Sequence, residues 1–270
     1  MHQYDHLYLS PHFDDVALSC GGRVFRQTTA GESVLVVTIM AAEPPPGLQS
    51  ETVESLHNRW RDSLGGEGIE TGIVALRRAE DRVALAILGA DVLHLPFQDC
   101  IYRLEPDGRL RYPGPTDMFG HINPQDNDII DELTRAFAAL PPAGHVYLPL
   151  GVGRHVDHRV TRLAAERVFI DPAYYEDYPY TMQPGALEEA LPPEDRDGWS
   201  AEVVALTDVE LAAKIDAVAA YKSQMSSFFA GYDDLKIKLL EEGRRVMAGT
   251  IDMPAAGVIA GERVWRRLSR

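Results

Sequence analysis

At 270 residues and 45% apolar composition, the chain can build one sizeable core without disulfides; its two cysteines, Cys20 and Cys100, argue for a reducing, cytoplasmic setting. A formal net charge of −15 argues against nucleic acid and anionic membrane surfaces, whose binding leans on Lys and Arg. The N-terminus lacks the basic and apolar regions of a signal peptide, and no stretch reaches the roughly 18 apolar residues of a membrane span.

In chain order, residues 5–10 read as a strand and 14–29 as a helix stopped by Gly31. Residues 33–41 form a long apolar run rich in Val and Ile, as expected of a parallel strand buried on both faces. Helices are expected over 51–64, ending at Gly65-Gly66, and over 73–88, capped by Gly89; a third strand covers 91–97. The polar, Pro- and Gly-rich stretch 98–123 is too long for an ordinary connection and is expected to be a pocket wall or lid. A helix over 124–140, a strand over 145–150 and a helix over 156–169 follow. Beyond residue 170 the pattern is less regular: strands at 173–175 and 201–206, a surface loop at 184–198, and a helix over 209–221. The alternation of strand and helix predicts a three-layer α/β/α sandwich with a mostly parallel sheet, in one domain spanning residues 1–270.

Two polar clusters sit where apolar runs end. Ser10-Pro11-His12-Phe13-Asp14-Asp15 follows the first strand, and His155-Val156-Asp157-His158 follows the fourth. Ligands of open parallel sheets bind outside the carboxyl ends of the strands, so both clusters can meet at one edge. Catalytic zinc takes three ligands from His and Asp/Glu and leaves a position for water, and His12, Asp15 and His158 supply that set. Side chains of adjacent residues at a turn diverge, which leaves Asp14 as a candidate general base; the alternative is a helix N-cap. His155, three residues before His158, is placed to reach substrate, and Asp157 to hold a histidine in its tautomer.

These motifs, with Gly21-Gly22, Arg77-Arg78-Ala79-Glu80 and Tyr221-Lys222-Ser223-Gln224, resemble the PIG-L/LmbE-like zinc-dependent N-deacetylases over roughly residues 5–225. Phe13 and Val156 stand where that family often has Pro. The resemblance implies a Rossmann-like fold and hydrolysis of an N-acetyl group on an N-acetylglucosamine-type sugar or sugar conjugate. It implies zinc on His12, Asp15 and His158, Asp14 as base, and His155 assisting the oxyanion or leaving group in its protonated form. Arg77 and Asp99 are candidates for gripping sugar hydroxyls, with a structural Arg77–Glu80 ion pair as the alternative for Arg77. The expected partner is thus a small N-acetylated sugar, and a homo-oligomer is compatible with the reading.

Two rivals deserve a test. Two His and one carboxylate also describe a non-haem iron(II) oxygenase, although those sites commonly use an antiparallel jelly roll. Gly151-Val152-Gly153 after a strand is a fragment of a dinucleotide-binding fingerprint whose third Gly is replaced by Val156.

Overall fold

The computed structural model describes residues 3–65, 72–248 and 257–268. Gly66 of the expected Gly65-Gly66 stop lies outside them. The elements run β1 (Tyr4–Ser10), α1 (Asp15–Thr29), β2 (Val34–Thr38), α2 (Glu51–Ser63), α3 (Ile73–Ile87), β3 (Asp91–His94), α4 (Asn127–Ala138) and β4 (Ala143–Pro149). Then come α5 (Val156–Ala165), β5 (Ala173–Tyr175), the short α6 (Ala186–Ala190), β6 (Trp199–Thr207), α7 (Asp208–Ala219), α8 (Lys222–Phe228), α9 (Tyr232–Ala248) and β7 (Val258–Arg267).

The sheet order is β3-β2-β1-β4-β5-β7-β6. The first five strands are parallel, and β7 pairs antiparallel with both β5 and β6. From β1 the chain steps to β2 on one side, then returns to place β4 on the other, with Leu7 opposite Val146 and Tyr8 opposite Tyr147. This reversal opens a crevice at the carboxyl ends of β1 and β4, where the two polar clusters lie.

Strand alternation divides the core in two. Tyr8, Val34 and Val36 pack with Val16, Val24, Ala84, Ile215 and Val218 of α1, α3 and α7. Leu7, Leu9, Leu35 and Val37 pack on the other face with Ile130, Leu133, Phe137 and Val160 of α4 and α5. All five residues of β2 are buried, as a two-faced parallel strand requires. Gly22 sits inside α1 because the helix approaches β6 closely: a Cβ there would lie 2.5 Å from Cδ1 of Leu206.

The expected helices and strands through residue 169 are present with shifted ends. Residues 124–140 open as a short 3-10 turn before α4, and residues 91–97 extend as a strand only to His94. The surface loop expected at 184–198 contains α6 and a 3-10 turn over Pro193–Gly198.

Candidate active site

The first cluster is shaped by local hydrogen bonds. Ser10 Oγ donates to the His12 carbonyl at 2.6 Å and accepts the Val16 amide at 3.3 Å, turning the chain sharply from β1 into α1. Asp15 Oδ2 accepts the His12 amide at 2.7 Å. Asp14 is the residue before the helix, yet its side chain caps no amide. It is buried at the pocket wall with its carboxylate uncommitted to the helix.

The second cluster meets the first at Asp15. Asp15 Oδ2 lies 3.2 Å from His12 Nδ1 and 3.3 Å from His158 Nε2. Vertices of a tetrahedron around an ion bonded at about 2.0–2.1 Å are separated by roughly 3.4 Å, so these spacings suit a shared ion. His158 Nε2 is buried and makes no hydrogen bond, the condition of a nitrogen aimed at a ligand. Each ring's other nitrogen faces a carboxylate: His12 Nε2 lies 3.0 Å from Asp157 Oδ2, and His158 Nδ1 lies 2.7 Å from Asp177 Oδ1. Carboxylates behind imidazoles are the usual orientation device of metal-binding histidines. His12, His155 and His158 also bring ring nitrogens within 4.8 Å of one another. His155 Nδ1, however, accepts the Asp157 amide at 3.3 Å, whereas Asp15 touches both other histidines. Asp15 is therefore the better third donor.

The electrostatics suit a dication. Burial alone would lower the pKa of both His12 and His158, but neighbouring carboxylates outweigh it. Asp15, Asp157 and Asp99 hold His12 well above the ordinary imidazole value, and Asp15 with Asp177 pushes His158 up to about 9. Burial would raise Asp15, but His158 and His12 keep it well below the usual carboxylate range. The enclosure thus attracts positive charge that a divalent metal can replace, displacing protons as it binds. Asp14 behaves differently: burial and the Asp15 charge push it up to about 6, while Arg77 and His12 pull the other way. Burial, then the His12 charge, hold His155 well below the ordinary histidine range. That direction favours the neutral imidazole over the protonated form. With Nδ1 accepting the Asp157 amide, its proton is assigned to Nε2.

Around these groups lies a pocket of about 670 Å³. Asp99, Ile101, Met118 and Phe119 of the long 98–123 stretch form part of its wall, with Leu56 and Trp60 of α2 and Gln224 and Phe228 of α8 opposite. Phe119 and Tyr180 pack edge-on against each other at 5.7 Å, and Phe119 meets His155 at 5.2 Å. The Arg77–Glu80 pair is not formed. Arg77 instead lies 5.0 Å from the ring centre of Phe13 and 4.4 Å from that of Trp60, while Glu80 accepts from the amide and hydroxyl of Ser223. Phe13, where the family often has Pro, thus gives Arg77 an aromatic platform at the pocket. Asp99 lines the same pocket, its Oδ2 3.8 Å from His12 Nε2.

Sequence reasoning overlooked Asp177. It stands two residues past β5, the same strand-end position that pointed to the other carboxylates, but it was masked by a run of tyrosines. Its Oδ2 accepts the amides of Gly151 and Val152, both at 2.8 Å. The amides that would cradle a phosphate in a dinucleotide site are therefore already committed, which removes the physical basis of that rival.

The model of the family described as PIG-L, GlcNAc-PI de-N-acetylase, matches residues 7–169. The chain belongs to the PIG-L family. It is similar to 2'-N-acetylparomamine deacetylase of Niallia circulans, 28% identical over 250 residues, covering 86% of this chain and 84% of that protein. Among solved structures, the zinc-inhibited form of teicoplanin deacetylase superposes with a TM-score of 0.76 at 27% identity, over 99% of this chain and 98% of that one. The deacetylase of the A40926 pseudoaglycone superposes with a TM-score of 0.69 at 26% identity, over 99% and 98% of the two chains. This PIG-L protein is an N-deacetylase. No helix among its described residues is long and apolar enough to cross a membrane.

Proposed function

We propose that residues 1–270 form one deacetylase domain that binds zinc through His12, Asp15 and His158 and removes an N-acetyl group from an amino sugar within a sugar conjugate. The observation that carries this reading is the pair of opposed environments at adjacent residues. Asp15 is drawn between two imidazoles, while Asp14 is buried beside it, uncapped and raised towards neutrality. One carboxylate is suited to a metal and the other to a proton. The relatives named above support the substrate class, since two act on N-acetylparomamine or on teicoplanin and cover most of this chain.

Zinc in this donor set would lower the pKa of bound water towards about 7 and polarise the amide carbonyl. Asp14 takes the proton of the attacking water; a base with a pKa near the working pH is the efficient choice. His155 donates from Nε2 to the amide oxygen as charge develops there. Asp14, once protonated, passes its proton to the departing amine. Arg77 and Asp99 hold hydroxyls of the sugar, and the Phe119–Tyr180 edge closes one side of the pocket.

The test is release of acetate and free amine from N-acetylated amino sugars, aminoglycosides and glycopeptide conjugates by the zinc-loaded protein. Activity on at least one such conjugate, lost with chelator and restored by zinc, is expected. A fully zinc-loaded protein inert on the whole panel would overturn the substrate class.

A further inference from the structure

A chain of buried ions leads from His12 out to the long stretch between β3 and α4, and the reaction described above makes no use of it. Asp157 is fully enclosed. Its Oδ2 lies 3.0 Å from His12 Nε2 and accepts the Cys100 amide at 3.0 Å, and its Oδ1 accepts from Arg103 Nη2. Arg103 is itself 2% exposed. Its Nη1 donates to Asp126 Oδ2 at 2.6 Å and its Nε to the Gln98 carbonyl at 3.1 Å. Asp126 is tied further by Arg111 Nη1 at 2.6 Å and the Tyr112 hydroxyl at 2.8 Å.

A carboxylate removed from water keeps its charge only beside a compensating cation. Apart from His12, whose nitrogen would be committed to the metal, the cation on Asp157 is Arg103. The guanidinium is planar and bears its donors in a rigid fork, so one side chain serves Asp157 and Asp126 at once; a lysine ammonium has no such geometry. Asp157 in turn faces the ring nitrogen of His12 opposite the one that points at Asp15.

We propose that Arg103 is a positioning residue for the metal site: it holds Asp157 in place and oriented, and Asp157 thereby presents His12 Nδ1 to the ion. The inference rests on the reading of His12 as a metal ligand. It makes the base of the 98–123 stretch a part of the metal site as well as a wall of the pocket.

The rival account is that Arg103 merely staples that stretch to α4 through Asp126. Zinc affinity, measured on the 270-residue chain by competition with a chromophoric chelator, separates the two. Arg103→Gln is expected to bind zinc about 10–100-fold more weakly, the usual effect of losing a group that orients a ligand. Because Arg103→Gln removes one of the two arginines that hold Asp126, Arg103→Gln/Asp126→Asn is made beside it, with Asp126→Asn alone as its reference. Asp126→Asn cuts the staple but spares the Arg103–Asp157 contact, so its zinc affinity should stay near wild type. The double variant should lose affinity by the factor set by Arg103→Gln. Equal zinc affinity in Asp126→Asn and Arg103→Gln/Asp126→Asn, both folded by circular dichroism, would overturn the proposal. Wild-type protein that takes up no zinc would instead overturn the metal-site reading itself.

Discussion

Asp177 Oδ1 lies 2.7 Å from His158 Nδ1, while its other oxygen accepts the Gly151 and Val152 amides at 2.8 Å each. One carboxylate therefore fixes both the tautomer of His158 and the turn that leads into α5. With the proton on Nδ1, Nε2 is left as a lone pair facing Asp15. Asp177→Asn changes that logic. If the amide oxygen keeps the two backbone amides, its NH₂ group faces Nδ1, which must then accept, and the ring proton moves to Nε2. We expect the variant to bind zinc about 10–100-fold more weakly while keeping its secondary structure. Wild-type zinc affinity in the folded variant would reduce Asp177 to a turn staple.

Asp14→Asn separates base from ligand. It keeps size and shape and removes only the ability to take a proton. Because the Asp14 side chain caps no amide, the fold has little reason to respond. We expect the deacetylation rate to fall ~10²–10⁴-fold. Zinc content, measured on the same sample, should match wild type because the proposed ligand carboxylate is that of Asp15. Full activity with normal zinc would move the base role to His155.

The fold was legible where the physics is local and regular. β2 announces itself because Val34-Leu35-Val36-Val37 is a continuous apolar run, and all five residues of the strand are buried. β7 does not, because Glu262 interrupts it. That charge is buried against the amides of Gly22 and Arg23 and the ammonium of Lys214, three partners more than 45 residues away in sequence. The strand's pattern makes sense only after α1 and α7 are in place. The candidate site divides similarly. His12, Asp14, Asp15, His155, Asp157 and His158 come as two short clusters at strand ends, and a local rule suffices to select them. Asp177 and Arg103 act through contacts across the sheet and carry no local signal of comparable strength. Arg77 shows the opposite limit: the helical spacing suggested Glu80, but two aromatic rings from separate elements claim it.

Gly153 offers a backbone test of the second cluster. Its φ is +77°, and a Cβ there would lie 2.5 Å from Cβ and Cγ of Tyr180. Gly153→Ala therefore meets backbone strain and a collision with a ring that packs on His155 and His158. We expect a loss of about 2–3 kcal/mol in unfolding free energy by denaturant titration. Stability within about 0.5 kcal/mol of wild type would show that the turn relaxes freely.

The last prediction concerns pH and uses a group away from the proposed metal ligands. His57 is buried on α2, its Nε2 2.6 Å from the Tyr102 hydroxyl. Burial, then the charges of Arg61 and Arg77, push its pKa down to about 4. In the unfolded chain the same imidazole titrates near about 6.5. Between these values the unfolded state binds a proton that the folded state refuses, so the contribution is fully present above pH 6.5 and is lost as pH falls towards 4. Its size is below about 3.5 kcal/mol, from 1.36 kcal/mol per pKa unit. His57→Gln can still accept from Tyr102 but does not titrate. Denaturant unfolding of both proteins in chelator should show a constant stability difference above about pH 6.5. Below it, the difference should shift steadily in favour of the variant. A difference independent of pH from 7.5 to 4.5 would mean that His57 takes up its proton as easily folded as unfolded, and that its burial is not the cause of any acid lability.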